Sequence, residues 1–427
     1  IRNAQLLMHA TEIHACRGCG QSTFVSILDF GDMHFTGRFQ YDGKPRVPTG
    51  PLHMVKCNTC HLVQLKHNFT LDELYRFDYG YRSGVNQTMR DHLSGIASEV
   101  ASAANLKPGD RVLDIGSNDA TLLKYYEIDG LVRFGMDPTA IQYAEYYPSE
   151  ITAIPDYFDA DNFHQSAGNE PVAAVTPVAV IYDLPNPNKF FGDIYKVIAD
   201  QGVWVFEQSY MPRMLEQSAY DSICHEHIEY YTLTQIDILL INNGLKIFDV
   251  SFNDMNGGSF RVFSCRDQAS YERRPVVDEI LKNEAEQGFD TLAPYQEFAD
   301  RVSDIARRLV DFLNKEKAAG KTILGYGAST KGNTLLQYCG IDGSLISAIA
   351  DRNPSKWGAK TPKSDIPIIS EEDARAFNPD YFLVLPWHFR DEFLSREAEF
   401  LAGGGSFIFA LPELTVVSHD QEITVVE

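Results

Sequence analysis

Val112-Leu-Asp-Ile-Gly-Ser-Asn-Asp119 reads as a buried strand that ends on a glycine and hands over to a helix. The glycine permits close backbone approach to a ligand. The helix start offers unpaired N–H groups and the positive end of its dipole. Asp137, 21 residues beyond Gly116, closes the next strand in Gly135-Met-Asp137, where a carboxylate can accept both hydroxyls of a ribose. Phe158, in Asp156-Tyr-Phe158 after the third strand, is a candidate adenine contact. Asp114, Gly116, Asn118, Asp137 and Phe158 are therefore expected to hold a nucleoside cofactor. The turn lacks a full G-x-G-x-x-G, which counts against a dinucleotide.

Around this turn strand and helix periodicities alternate. Strands are expected at 112–115, 132–136, 152–154, 178–182 and 203–207, with helices at 120–126, 140–147 and 189–198 and a further helix at 87–105 ahead of them. That alternation makes an α/β unit with a parallel sheet covered on both faces. Two apolar runs, 245–252 and 258–264, then flank Asn253-Asp-Met-Asn-Gly257, a hairpin signal. A parallel sheet closed by an antiparallel hairpin is the class I methyltransferase arrangement, whereas a dinucleotide-binding sheet continues parallel. The expected cofactor is S-adenosylmethionine.

The chain of 427 residues is too long for one core. Its net charge of −22 and pI near 4.9 work against nucleic-acid or anionic-membrane partners. No run of about 18 apolar residues is present. The segment beginning Ile1-Arg-Asn-Ala lacks the apolar core of a signal peptide, so the cytoplasm is the expected location.

Of seven cysteines, Cys16, Cys19, Cys57 and Cys60 form C-x2-C…C-x2-C with 37 residues between the pairs. Four thiolates suit tetrahedral zinc, and a closed thiolate shell leaves no position for chemistry, so the ion is expected to be structural. His14, His61 and His67 lie nearby as substitutes, and a redox pair is the alternative. The first 75 residues are turn-rich and too small to hold together by burial alone, so a metal cross-link would supply what a core lacks. The expected division is a zinc domain at 1–75, a methyltransferase domain at 76–266 and a second Rossmann-like domain at 267–427.

In that last part a helix at 295–319 precedes renewed alternation, with strands at 322–326, 345–350, 380–385 and 406–410. The loop Gly325-Tyr-Gly-Ala-Ser-Thr-Lys-Gly332 is not a Walker A sequence, yet Ser329, Thr330 and Lys331 converge on a helix start in a manner suited to phosphate. Asp351 at the end of the next strand leaves an NAD-dependent nucleotide-sugar oxidoreductase as the rival enzyme reading. A zinc-ribbon scaffold for nucleic acid or protein is the non-enzymatic one. Finally, Cys224-His-Glu-His227 follows the strand ending at Glu207 and should overhang the transferable methyl, where His227 could act as a general base and Glu226 as its partner or as a substrate ligand.

Taken in order, the paired cysteine knuckles, Leu113-Asp-Ile-Gly-Ser-Asn-Asp119, His225-Glu-His227, Asn256-Gly-Gly-Ser-Phe-Arg261 and Gly327-Ala-Ser-Thr-Lys-Gly-Asn333 resemble the nucleotide-sugar C-methyltransferases over nearly the whole chain. The resemblance implies a dTDP-, GDP- or CDP-linked keto sugar in the cleft toward the C-terminal domain. It implies His227 as the base that removes the proton alpha to the ketone, with roles for Glu226 and Tyr81. Ser329, Thr330, Lys331, Asn333 and Arg261 would contact the substrate, in a monomer or weak homodimer. Two positions depart from some members: Cys224 stands for a tyrosine and Asp183 for a histidine. Both are carried as catalytic candidates.

Overall fold

The computed structural model describes residues 10–70, 74 and 81–425. The stretch Phe77–Gly80, the expected boundary at 75 and the first nine residues lie outside the described residues.

The central sheet has seven strands in the order Leu245–Asn253, Ser259–Arg266, Ile198–Ser209, Val172–Pro177, Arg111–Ile115, Val132–Met136 and Ile151–Ile154. Every pairing is parallel except those of Ser259–Arg266, which runs against both neighbours and is the expected hairpin strand. Side chains alternate with period two. Val203 and Val205 pack toward the helix Gln87–Ala103, while Trp204 and Phe206 pack on the opposite face with Phe190, Phe191, Ile194 and Ile236.

Three expectations need correction. The fourth strand is Val172–Pro177, not 178–182. Pro177 cannot donate to a ladder, Ala179 turns the chain with φ +58°, and Ile181–Asp183 is a single 3-10 turn. The helix expected at 140–147 is two short turns, Pro138–Ile141 and Ala144–Tyr146. The helix Pro275–Glu286 was not expected at all. Its buried Glu284 accepts from the Leu233 and Thr234 amides at 2.7 and 2.8 Å, closing the start of the helix Leu233–Asn242.

At the N-terminus the 37 residues between the cysteine pairs are no loop. They form a long hairpin, Phe24–His34 with Thr49–Cys57, extended by Val63–Leu65 and then by Glu229–Tyr230 from the central part of the chain. The C-terminal sheet, also seven-stranded, holds five parallel strands, Ile368–Ile369, Ile349–Ala350, Ile323–Tyr326, Tyr381–Val384 and Ser406–Phe409. Thr415–Val417 and Glu422–Thr424 continue it antiparallel.

The helix Ala293–Ala318 lies between these two sheets. Its buried stripe Phe298, Val302, Ile305 and Leu309 joins Leu28, Met33, Leu52 and Met54 of the hairpin to Leu324, Leu335 and Phe407 in one core. The N-terminal segment does lack a core of its own, as its size implied. The missing burial comes from this helix as well as from any metal. Phe298→Ala is expected to destabilise the protein by about 3–5 kcal/mol, read as a lower midpoint of chemical unfolding together with faster amide exchange in Phe24–His34. Unchanged hairpin exchange would show that the shared core does not hold it.

Candidate active site

A cavity of about 940 Å³ opens where the C-terminal ends of the central strands, the tip of the N-terminal hairpin and the loop at 328–331 face one another. This is near the upper end of the range of roughly 300–1,000 Å³ for small-molecule sites, which leaves room for two substrates.

At one end lies the glycine turn. Gly116 has φ +70°, and a Cβ there would stand 2.6 Å from Val180, so only glycine fits. Asp114, Gly116 and Ser117 line the cavity. Burial pushes the Asp114 carboxyl up to about 8 against the opposing Thr176 hydroxyl, which donates to it at 2.9 Å. This open backbone approach at the head of a strand fits a nucleoside methyl donor, which Asp114, Gly116 and Ser117 would hold. Asp137, Asn118 and Phe158 do not line the cavity. The Asp137 carboxylate accepts from the Asn118 amide at 2.8 Å and from the Thr139 amide and hydroxyl at 2.6 Å each, while Phe158 packs edge-on against Phe190.

Tyr182, Asp183, Cys224, Glu226 and His227 also line the cavity, whereas Tyr81 lies by the glycine turn, its carbonyl accepting from the Asn118 side chain at 3.1 Å and the Tyr143 hydroxyl at 2.9 Å. His227 Nδ1 lies 3.2 Å from the Ser222 carbonyl, which can only accept; that partner assigns the proton to Nδ1 and leaves Nε2 as the basic nitrogen. Burial lowers the His227 pKa to about 4, so the ring is neutral at physiological pH. Its face meets the Tyr182 ring at 4.2 Å. Burial pushes Glu226 the other way, up to about 7, and its Oε2 has no partner among the described residues. The Gly37 backbone presses so closely on Glu226 Oε1 that a Cβ there would collide with it. Burial also raises the Cys224 thiol well above its ordinary value, so it stays protonated.

The histidine segment is held from outside the central sheet. Ile228 donates to the Tyr182 carbonyl at 2.9 Å and accepts from Leu65 N–H at 2.8 Å, and Glu229 and Tyr230 pair with Gln64 and Val63. Arg17, inside the first cysteine knuckle, is buried and donates to the Leu65 and His67 carbonyls at 2.8 and 2.9 Å and to Ile228 at 3.4 Å. Gln64 reaches Cys16 Sγ at 3.1 Å. The four sulfurs of Cys16, Cys19, Cys57 and Cys60 lie within 4.8 Å of one another, with Cys16–Cys60 at 3.5 Å and Cys19–Cys57 at 3.6 Å. Zinc–sulfur bonds of about 2.3 Å in a tetrahedron require sulfur separations of about 3.8 Å, so the cluster fits zinc. None of the four lines the cavity, and His61 is turned to Lys56 Nζ at 3.1 Å.

From the C-terminal part, Ser329, Thr330 and Lys331 reach the cavity. The Ser329 hydroxyl caps its helix by accepting from Gly332 N–H at 3.0 Å, and Lys331 donates to the Asn256 carbonyl at 2.6 Å. Asn333 and Arg261 do not reach it. Asn333 is buried and donates to the Thr36 carbonyl at 2.8 Å. Arg261 is spent on Glu207 at 2.7 Å and Glu99 at 2.7 Å.

The sequence reading missed His92, Glu207 and the hairpin cations. Burial pushes the Glu207 carboxyl up, but His92 and Arg261 more than reverse this and hold it below its ordinary value. Arg38, Lys44 and Arg46, with Lys356, line the cavity beside Lys331. The run Gly37-Arg-Phe-Gln-Tyr-Asp-Gly-Lys-Pro-Arg46 was the available signal.

Family models match three consecutive parts of the chain: a zinc binding domain at 16–75, a methyltransferase domain at 85–250 and a C-methyltransferase C-terminal domain at 254–412. C-methyltransferase NovU of Streptomyces niveus is 30% identical over 414 residues, covering 96% of this chain and 98% of that protein. Among solved structures, an S-adenosylmethionine-dependent methyltransferase from Clostridium acetobutylicum is 14% identical, covering 42% of this chain and 92% of that one, with a TM-score of 0.34. A Burkholderia thailandensis N1-methyltransferase with bound S-adenosylhomocysteine is 12% identical over 42% of this chain and 79% of that one, with a TM-score of 0.33.

Removing the metal with a chelator, or replacing Cys57 by serine, is expected to lower Tm and to slow turnover on the order of tenfold or more by loosening the wall behind His227. Zinc content and kcat measured on the same samples check this. Full turnover in metal-free protein would disconnect the cluster from the site.

Proposed function

The chain belongs to the C-methyltransferase family, and from that premise we propose that it methylates a carbon of a nucleotide-linked keto-deoxysugar, C-3 of a 4-keto sugar, with S-adenosylmethionine as donor. The observation that carries this reading is His227: neutral, with its proton committed to Ser222, its Nε2 basic, and its ring on the wall of a cavity shared with the glycine turn. A neutral histidine whose neighbouring thiol stays protonated suits abstraction of a carbon-bound proton made acidic by a neighbouring ketone.

The donor, when bound, supplies an electrophilic methyl on a sulfonium. His227 Nε2 takes the alpha proton, and the C–H electron pair becomes the carbon–carbon double bond of an enolate. That carbon then forms the bond to the methyl as the methyl–sulfur bond breaks, leaving a neutral thioether. Glu226, with Oε2 unpartnered, accepts from a sugar hydroxyl when ionised.

The nucleotide link is supported by charge. In a chain of net charge −22, Arg38, Lys44, Arg46, Lys331 and Lys356 all line this one cavity, which suits a diphosphate. The NAD-dependent reading needs Asp351 for a ribose. Its carboxylate already accepts from Lys356 Nζ at 3.1 Å and the Asn353 amide at 2.8 Å, and it does not line the cavity. By function the chain divides into a metal-holding part at 1–75, a donor part at 76–266 and a nucleotide part at 267–427.

Incubation with a panel of 4-keto nucleotide sugars and methyl-labelled donor tests the reading, which fails if label enters none of them. His227→Ala is expected to lower kcat about 10²–10⁴-fold with donor affinity retained, measured by steady-state kinetics and titration calorimetry. The pH dependence follows from the two opposed shifts. His227 is a base only when neutral, so its acid limb in kcat/KM falls near pH 4 and not near 6.5. Glu226 binds a hydroxyl best when ionised, so kcat/KM rises with pH through about 7, and that rise should vanish in Glu226→Gln.

A further inference from the structure

Gln208 stands second from the end of the strand Ile198–Ser209, next to Glu207 and Ser209, and lines the same cavity as Tyr182, Asp183 and His227. It is 2% exposed, and among the described residues neither its Oε1 nor its Nε2 has a hydrogen-bond partner. Among the described residues no other side chain has two buried polar atoms left unpaired. Buried carboxamides are almost always satisfied, and one left wholly unpaired at the mouth of a sheet marks a place where something else completes it. Its neighbours in the strand show the contrast: Glu207 is fully engaged by His92, Arg261 and Asn253.

Resting on the reading above, we propose that Gln208 holds the acceptor, donating from its Nε2 to the ketone oxygen as that oxygen becomes an enolate and accepting at Oε1 from an adjacent sugar hydroxyl. The keto sugar offers this complement of one acceptor beside one donor. When His227 Nε2 takes the proton, the C–H pair forms the new double bond and the carbonyl π pair moves onto oxygen, which then needs a donor. Cys224 offers only a weak S–H donor there, and Lys331 is turned to the Asn256 carbonyl. A carboxamide turned toward the oxygen supplies a firm N–H without a proton of its own to lose.

The test uses the full-length, zinc-loaded protein with S-adenosylhomocysteine and a keto nucleotide sugar in deuterated water, following exchange of the alpha proton by NMR, alongside turnover with the donor. Gln208→Leu is expected to slow both exchange and kcat by about 10²-fold or more, with S-adenosylhomocysteine affinity, zinc content and Tm within error of the parent. Gln208→Glu, which keeps the shape but loses the donor, should slow them at least as much at pH 8. Gln208→Asn covers the case in which the leucine variant fails to fold, and should be impaired in exchange while folded. Exchange and turnover at parental rates in any folded variant of the three would overturn the proposal, as would loss of donor affinity in parallel with turnover. If the parent itself neither exchanges nor methylates any keto sugar, the functional reading underneath falls and takes this proposal with it.

Discussion

The residue that follows His227 is bonded from two sides. Both of those bonds are made by Ile228: the N–H of the peptide after His227 goes to the Tyr182 carbonyl in the central part of the chain, and the carbonyl of the next peptide receives the Leu65 amide, with Arg17 behind it, from the N-terminal sheet. On this one residue depend the direction of the imidazole, its distance from Tyr182 and Asp183, and the position of Glu226 against Gly37. A base must be placed within a few tenths of an ångström to be useful, and loop residues seldom achieve that alone. Here the loop becomes a fourth strand paired with Gln64, whose side chain reaches Cys16 of the four-cysteine cluster, so rigidity is borrowed from a part of the chain that does no chemistry.

Electrostatics follow the same division. The surface as a whole is anionic, yet the cations that count are drawn to the seam between the N-terminal hairpin and the C-terminal sheet. An anion would be repelled over most of the molecule and attracted at that seam, and low-dielectric walls sharpen such contrasts. The histidine in the same cavity is kept uncharged by burial. One cavity thus combines cations suited to an anionic ligand with a histidine that burial keeps neutral for proton transfer.

Much of this was legible in the residues, for reasons of period and spacing. The Gly116 turn, the antiparallel closure by Ser259–Arg266 and the knuckle cysteines are local patterns, and each stands where it was expected. The fourth strand was misplaced because two apolar runs lie either side of Pro177, and the more hydrophobic one is not the strand. Arg261 and Asn333 have the right chemistry for ligands but are engaged by neighbours distant in sequence, by Glu207 and Thr36. Such commitments are set by tertiary packing and leave no trace in spacing. The hairpin cations were overlooked because a span between two metal knuckles looks like a linker until its strands are seen to run across the molecule.

The N-terminal hairpin also leaves its mark on the order in which the chain can be finished. Its edge partner, Glu229–Tyr230, lies more than 150 residues downstream, and the helix Ala293–Ala318 that covers it lies further still. As the chain emerges in synthesis, the first strands made therefore wait longest for their neighbours, with an open edge and half a core exposed. Early capture of a metal by Cys16, Cys19, Cys57 and Cys60, all available within the first 60 residues, would tie the hairpin's base together during that interval.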